Sequence, residues 1–261
     1  PGHRAAAPRR RILAGAMSTQ PQIIIGGSIE GRHNEDLAKA AKRITAGKGY
    51  KDVSTVCVIP TRGLIPARVV ESWWNLITPM NQPFVRMMVK GMEVGDAYNA
   101  AIEMILAHES LSKWRYVLTL EEDNLPPPDG LLRLIEAMNE ERHYAAIGGL
   151  YWTKGEGGQP MIYGDPNTIL AFNPQVPVPG AVQECNGLGM GFTLFDLAVF
   201  RDERIPRPWF KTIAEWTPEG GGKVGTQDLY FFKNAREAGY RVASDNRCRV
   251  GHYDVGSDIV W

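Results

Sequence analysis

Apolar positions along the first half of the chain fall into two alternating patterns. Residues 53–59, 84–90, 115–120 and 144–150 are short β-rich runs, the first reading Val-Ser-Thr-Val-Cys-Val-Ile. Continuous apolar runs of this length mark strands buried on both faces, as in parallel sheets. Between them the apolar residues recur at helical spacing. One helix opens at Pro66, which has no N–H to leave unpaired in a first turn, and continues to about Ile77. A second covers 96–108, with Ala97, Ala101, Ile102, Ile105 and Leu106 on one side. A third follows Asp129, which is placed to cap it, and carries Leu131, Leu132, Leu134, Ile135 and Met138. Strand and helix in strict alternation predict an α/β fold, a mostly parallel sheet flanked by helices. Ahead of this pattern, 22–30 reads as a short strand and turn, and 34–46 as a helix between Asn34 and the stop at Gly47.

After residue 150 the rhythm changes. Prolines and glycines become frequent and short strand-like pieces replace the alternation, predicting a smaller mixed region. One helix, 227–238, stops at Gly239, and 240–253 reads as strand and loop ending at His252. The expected organisation is a disordered tail or leader at 1–20 and a single domain over 21–261. Within that domain, about 50–150 and 151–261 form two halves.

Composition narrows the classes. The chain has 261 residues, of which 44% are hydrophobic, enough for a sizeable core and too apolar for a disordered chain. Lys plus Arg and Asp plus Glu are both 29, and this zero balance argues against a general nucleic-acid binder. The balance hides a local excess. Residues 1–16 hold Arg4, Arg9, Arg10 and Arg11 and no acid, so the rest carries a net charge of −4. That basic tail is the one part suited to nucleic acid or a membrane surface, although a functionless tail reads as well. It lacks the apolar core of a secretory signal, and no apolar run approaches the ~20 residues of a membrane span. Cys57, Cys185 and Cys248 are scattered and form no CxxC pair, which fits a reducing cytoplasm.

Candidate chemistry begins where the third strand ends, in Glu121-Glu122-Asp123-Asn124. In open α/β sheets ligands bind at the carboxyl ends of strands. Glu121 and Asp123, two apart on an extended segment, can point the same way and offer oxygen ligands suited to Mg2+ or Mn2+. A solvated acidic loop would look the same. A second signal is Cys185-Asn-Gly-Leu-Gly-Met-Gly-Phe192, whose alternate glycines allow close backbone approach to a ligand or mark bulges. A third is Glu219-Gly-Gly-Gly-Lys-Val-Gly-Thr-Gln-Asp228, a glycine loop opening a helix. Asp228 there is either a first-turn helix acid or a general base. His252 gains interest only if the fold brings it to the acid cluster.

Taken together, these pieces resemble the GT-A fold nucleotide-sugar glycosyltransferases of the family 2 type. The likeness spans about residues 53–253. Residues 53–63 resemble the first nucleotide-binding strand and loop, and 91–99 the segment that often reads Ala-Arg-Asn. Residues 118–135 resemble the DXD region and its trailing helix, and 186–192 the Gly-rich acceptor-side strand. Pro208-Trp209-Phe210 and Thr226-Gln-Asp-Leu-Tyr-Phe231 resemble the Trp-Phe and Glu-Asp-x-x-Phe region. Residues 239–252 resemble the family ending, in which a His completes the metal site.

The resemblance implies a GT-A (Rossmann-like) sheet and a metal-dependent, inverting glycosyltransferase using a nucleotide-diphosphate sugar donor. It assigns Glu121, Asp123 and His252 to Mn2+ or Mg2+, and Asp228 to the base that deprotonates an acceptor hydroxyl. It assigns Pro60, Thr61, Arg62, Asn99, Glu122, Gly189 and Trp209 to donor binding. Trp209, with Trp152 or Trp216, would stack on sugar faces. Three positions depart from the pattern: Glu121 replaces an Asp, Tyr98 an Arg, and Gln227 an acid. The acceptor is open, whether glycan, small molecule or macromolecule. A nucleotidyltransferase of related fold, or a non-catalytic nucleotide-sugar-binding protein, is the alternative reading.

Overall fold

The computed structural model describes residue 42 and residues 50–139, 144–216 and 222–261, with backbone alone at 214–216 and 222–224. The tail at 1–20, the strand at 22–30, all of the 34–46 helix except residue 42, the glycines at 220–221 and the Trp216 side chain lie outside the described residues.

The first half runs β1 (Thr55–Thr61), α1 (Ala67–Trp74), β2 (Phe84–Lys90), α2 (Val94–Ala107), β3 (Tyr116–Leu120), β4 (Asn124–Leu125), α3 (Gly130–Met138) and β5 (Ala146–Leu150). The second half runs β6 (Ile162–Tyr163), β7 (Val182–Cys185), β8 (Gly187–Leu188), β9 (Phe192–Asp196), β10 (Ile213–Trp216) and β11 (Gly222–Gly225). It ends with α4 (Gln227–Glu237), β12 (Val242–Arg249), β13 (Gly251–Asp254) and β14 (Ile259–Val260). The expected alternation is present. The strand read as 53–59 runs two residues further, so Pro60 and Thr61 belong to β1 rather than to the loop. Asp129 stands at the helix-capping position, but its side chain makes no capping bond; Arg133 one turn on takes the carboxylate at 2.7 Å.

A seven-stranded sheet has the order β2-β1-β3-β9-β5-β12-β7. β2, β1 and β3 are mutually parallel, as are β5 and β12, while β9 and β7 run against their neighbours. The sheet is therefore mostly parallel but mixed. β9, which follows directly on the Gly-rich segment, inserts antiparallel between β3 and β5.

Alternation along β1 sorts the core into two layers. Val56 and Val58 join Tyr98 and Ile102 of α2 and Phe231 and Phe232 of α4 on one face. Cys57 and Ile59 join Val69 and Trp73 of α1 and Leu131, Leu134 and Ile135 of α3 on the other. Successive strand residues point to opposite faces, so a strand covered by helices on both sides must be apolar throughout. All three cysteines are buried and free. Among the described residues, no helix is long and apolar enough to cross a membrane.

Connection order places the site. From β1 the chain crosses to β2 on one side, then returns past β1 to β3 on the other. The order reverses between β1 and β3, and such a switch point leaves a crevice at the carboxyl ends of the two strands.

Candidate active site

A cleft of about 440 Å³ opens at that switch point. Pro60, Thr61 and Arg62 line it from the end of β1, Met92, Glu93 and Val94 from the entry to α2, and Glu121, Glu122 and Asp123 from the end of β3. The acids lie in a turn closed by the Asn124 N–H donating to the Glu121 carbonyl at 3.0 Å. Two further bonds hold this turn: the Glu121 N–H donates to the Gly191 carbonyl at 3.2 Å, and the Trp73 indole N–H to the Asn124 carbonyl at 3.0 Å. A side chain on Gly191 would collide with the Asn124 amide, its first carbon lying 2.5 Å from Oδ1. Glycine is needed there for close approach rather than for backbone freedom.

His252 reaches the turn through a separate three-stranded sheet. β13 pairs antiparallel with β4, setting Gly251 opposite Leu125 and His252 opposite Asn124. The Tyr253 N–H donates to the Asp123 carbonyl at 2.7 Å, so the two residues are tied by main chain as well. The His252 Nδ1 lies 2.7 Å from the Trp152 carbonyl. A carbonyl only accepts, so Nδ1 carries the hydrogen in that bond. Nε2 then faces Asp123 Oδ2 at 3.4 Å. A ring nitrogen oriented by a carbonyl on its far side is the usual arrangement of a metal-binding histidine.

Asp123 carries a second neighbour that the sequence reading did not single out. Lys154 places its Nζ 2.5 Å from the same Oδ2. It stands on a hairpin in which Trp152 bridges Pro160 and the Gln159 carbonyl accepts the Thr153 N–H at 2.9 Å. Burial raises the Asp123 carboxyl, but His252 and Lys154 outweigh burial and hold it below the usual carboxylate range.

Glu121 behaves differently from its expected role. Its side chain turns inward, where Oε1 accepts a long 3.4 Å bond from the Tyr98 hydroxyl. Burial first, then the charges of Asp123 and Asp228, push its carboxyl up to about 8. That neutrality belongs to the metal-free protein, in which no cation offsets the charge of Asp123. Among the described residues no three His, Cys, Asp or Glu side chains are grouped to hold a metal. What remains is the pair Asp123 and His252. Two protein donors, with the other positions left to water and phosphate oxygens, is a set that Mg2+ or Mn2+ accepts, so the residues present fit such an ion.

In the metal-free protein Glu121 should also mark the pH dependence of stability. Its folded pKa exceeds its unfolded one, so its contribution is full below about 4.5 and lost as pH rises through about 8. Urea midpoints in chelator should therefore fall for the wild type over that interval relative to Glu121→Gln. Parallel profiles for the two proteins would contradict a neutral buried Glu121.

The other expected donor contacts divide. Pro60, Thr61 and Arg62 line the cleft. Glu122 lines it too but is engaged: its carboxylate accepts from the Thr61 hydroxyl at 2.8 Å, the Arg62 N–H at 2.9 Å and the Arg62 Nε at 2.5 Å. It ties the ends of β1 and β3 together across the cleft floor. Asn99 is spent on the Phe210 main chain, donating to its carbonyl at 2.7 Å and accepting its N–H at 3.1 Å. That pair locks α2 to Phe210 and fixes both ends of the amide on main chain rather than toward the cleft lining.

Trp209 is 1% exposed, set edge-on against Phe200 with the Arg207 guanidinium over its ring. It belongs to the core beside Phe195, Phe210 and Phe231, so it has no face for a sugar. Gly189 is buried beneath Tyr151, whose hydroxyl would lie 2.1 Å from any added side-chain carbon. Its place is packing beneath the site, not contact with a ligand.

Asp228 stands in the first turn of α4, 6% exposed, with Oδ1 accepting the Leu229 N–H at 2.8 Å. Burial raises its carboxyl, and the Thr226 side chain and local N–H groups oppose this without cancelling it. Its charge bears on Glu121, Tyr151 and Tyr163, which sets it in the same neighbourhood as the acid turn. Tyr151 joins the parts, accepting from the Gly191 N–H at 2.9 Å and meeting the His252 ring edge-on at 5.5 Å.

Two contributors were missed from sequence, Lys154 and Glu93. Glu93 caps α2, Oε2 accepting from Gly95 N–H at 2.8 Å and Asp96 N–H at 3.2 Å. The only hint of Lys154 was its position ahead of Gly155, Gly157 and Gly158, a hairpin tip.

No family model matches the chain, and no curated relative does. Solved structures do share the fold. One of them, the crystal structure of A197 from STIV, aligns at a TM-score of 0.53 and 20% identity, over 78% of this chain and 87% of that one. At that identity the likeness speaks for the mixed α/β fold alone.

Proposed function

We propose that this chain is a glycosyltransferase moving a sugar from a nucleotide-diphosphate donor to an acceptor hydroxyl, with Mn2+ or Mg2+ at Asp123 and His252. The observation that carries the reading is the Asp123–His252 pair at the β1–β3 switch point, its imidazole oriented by the Trp152 carbonyl. The charge of the cleft agrees. Glu93, Glu122 and Asp123 line it beside the mostly neutral Glu121, and the cations at its acids, Arg62 and Lys154, are already paired with Glu122 and Asp123. A diphosphate could enter such a lining only with a cation to offset the acids. A divalent ion there supplies Lewis acidity toward a departing diphosphate.

The chain's own residues account for the rest. Asp123 and His252 hold the ion, and Thr61 and Arg62 flank the donor. Asp228 takes the proton of the acceptor hydroxyl, whose oxygen forms a bond to the anomeric carbon as the bond to the diphosphate breaks. A raised carboxyl in a nearly closed position suits that base, because its pKa moves toward the operating pH. Attack opposite the leaving group inverts the anomeric centre.

A screen of nucleotide-sugar donors, reading release of nucleoside diphosphate with and without Mn2+, tests the proposal. Mn2+-stimulated release from at least one donor is expected. No release from any donor by folded protein would refute it, and pyrophosphate release would point to nucleotidyl transfer instead.

A further inference from the structure

We infer that Lys154 is a tethered cation that occupies the Asp123 carboxylate until a divalent ion displaces it, and then serves the donor diphosphate. The inference deepens the transferase reading and rests on it. The Lys154 Nζ lies 2.5 Å from Asp123 Oδ2, the oxygen that also faces His252 Nε2. A divalent ion shared by Asp123 and His252 must sit on that side of the carboxylate. An ammonium in hydrogen-bond contact with the same oxygen excludes it, by volume and by like charge. The two cations are therefore alternative partners of one carboxylate.

The hairpin geometry lets the exchange occur without dismantling the site. The same hairpin gives the Trp152 carbonyl to His252 Nδ1 and carries Lys154 two residues on, at its turn. The carbonyl is fixed by the bridge to Pro160, while the ammonium hangs on a four-carbon arm whose side chain is 32% exposed. That arm can swing while the imidazole stays oriented. Gly155 at φ 99° and Gly157 at φ 78° form the tip beyond it. Those left-handed conformations cost a glycine little.

Once released, the ammonium stays among the acids of this region, with Glu121 and Asp254 also within range of its charge. A phosphate oxygen brought in with the ion adds an anionic group that has no cation of its own among the described side chains. Lys is suited to this task, being a flexible point charge that needs no fixed two-toothed geometry. The pairing also keeps a cation on the Asp123 carboxylate before the ion arrives.

The test measures two affinities expected to move in opposite directions. Mn2+ alone should bind Lys154→Met at least ~10-fold more tightly than wild type, because no internal cation has to be displaced. Lys154→Arg, which keeps the charge, should resemble wild type. In saturating Mn2+, uridine, guanosine, adenosine and thymidine diphosphates are titrated, and the best of them should bind Lys154→Met ~10-fold more weakly than wild type. A lysine that merely props the hairpin would shift both affinities the same way when removed. Asp123→Ala with Lys154→Met should lose the gain for Mn2+, showing that it acts through the shared carboxylate.

Equal Mn2+ affinity in wild type and Lys154→Met, or weakening of both ligands together, overturns the inference. Tighter Mn2+ binding by Lys154→Met with no nucleoside diphosphate bound by wild type would instead sink the transferase reading and the phosphate role, leaving only the cation exchange.

Discussion

Asp228→Asn should keep donor binding and lose sugar transfer, with the rate falling by ~10²–10⁴-fold, the usual contribution of a positioned general base. The variant is chosen to leave the structure undisturbed. Asp228 is 6% exposed in the first turn of α4, and its Oδ1 accepts the Leu229 N–H at 2.8 Å. An asparagine oxygen can accept the same bond, so the helix start survives. What disappears is a carboxylate that burial makes more basic than an exposed aspartate. The neutral amide also relieves the charge that helps push Glu121 upward. Calorimetry with nucleoside diphosphate and Mn2+ should therefore match wild type while transfer is nearly lost. Wild-type transfer rates would remove Asp228 as the base and reopen retaining chemistry.

Asp123→Ala should abolish Mn2+-dependent nucleotide binding, a loss of at least ~100-fold, together with donor hydrolysis. Asp123 is the carboxylate at which His252 and Lys154 converge, and truncation leaves the imidazole as a lone donor. Removing partners that only orient a ligand already costs 10–100-fold in affinity, and removing a ligand itself should cost more. The turn should still form. Its ties to β13 and to β9 run through main chain, from the Tyr253 N–H to the Asp123 carbonyl and from the Glu121 N–H to the Gly191 carbonyl. Unchanged thermal midpoints beside lost Mn2+ binding are the expected pair of results. Metal-stimulated turnover retained in this variant would refute the metal assignment.

Much of the fold was legible because burial on both faces leaves a simple trace. β1, β3 and β5 are buried at nearly every position and hold no charged residue, and helices between them place apolar residues on one side. The acid turn was legible too, since three consecutive acids after such a strand are unusual and fall at a carboxyl end.

The donor contacts were less readable. Asn99 and Trp209 sit in segments whose composition suits a ligand, yet one is held at both ends by Phe210 main chain and the other sealed under Phe200. A side chain's partner across more than a hundred residues leaves no mark in local pattern. Glu121 illustrates the same limit. Alternation put it beside Asp123, but burial against Tyr98 makes it a largely neutral acid in the metal-free protein. Lys154 was invisible for the converse reason: a lysine before glycines looks like any exposed hairpin until the fold sets Asp123 beside it.

By itself, then, the sequence determined the alternation of strand and helix, the location of the acid turn and the helix opening at Asp228. These depend on local periodicity and on where strands end. Only the tertiary structure decided the antiparallel insertion of β9, the switch point between β1 and β3, and the pairing of β13 with β4 that carries His252 to Asp123. It also decided which acids are charged. Strand order and carboxyl ionisation depend on neighbours far away in the chain, and neighbours exist only once the chain has closed on itself.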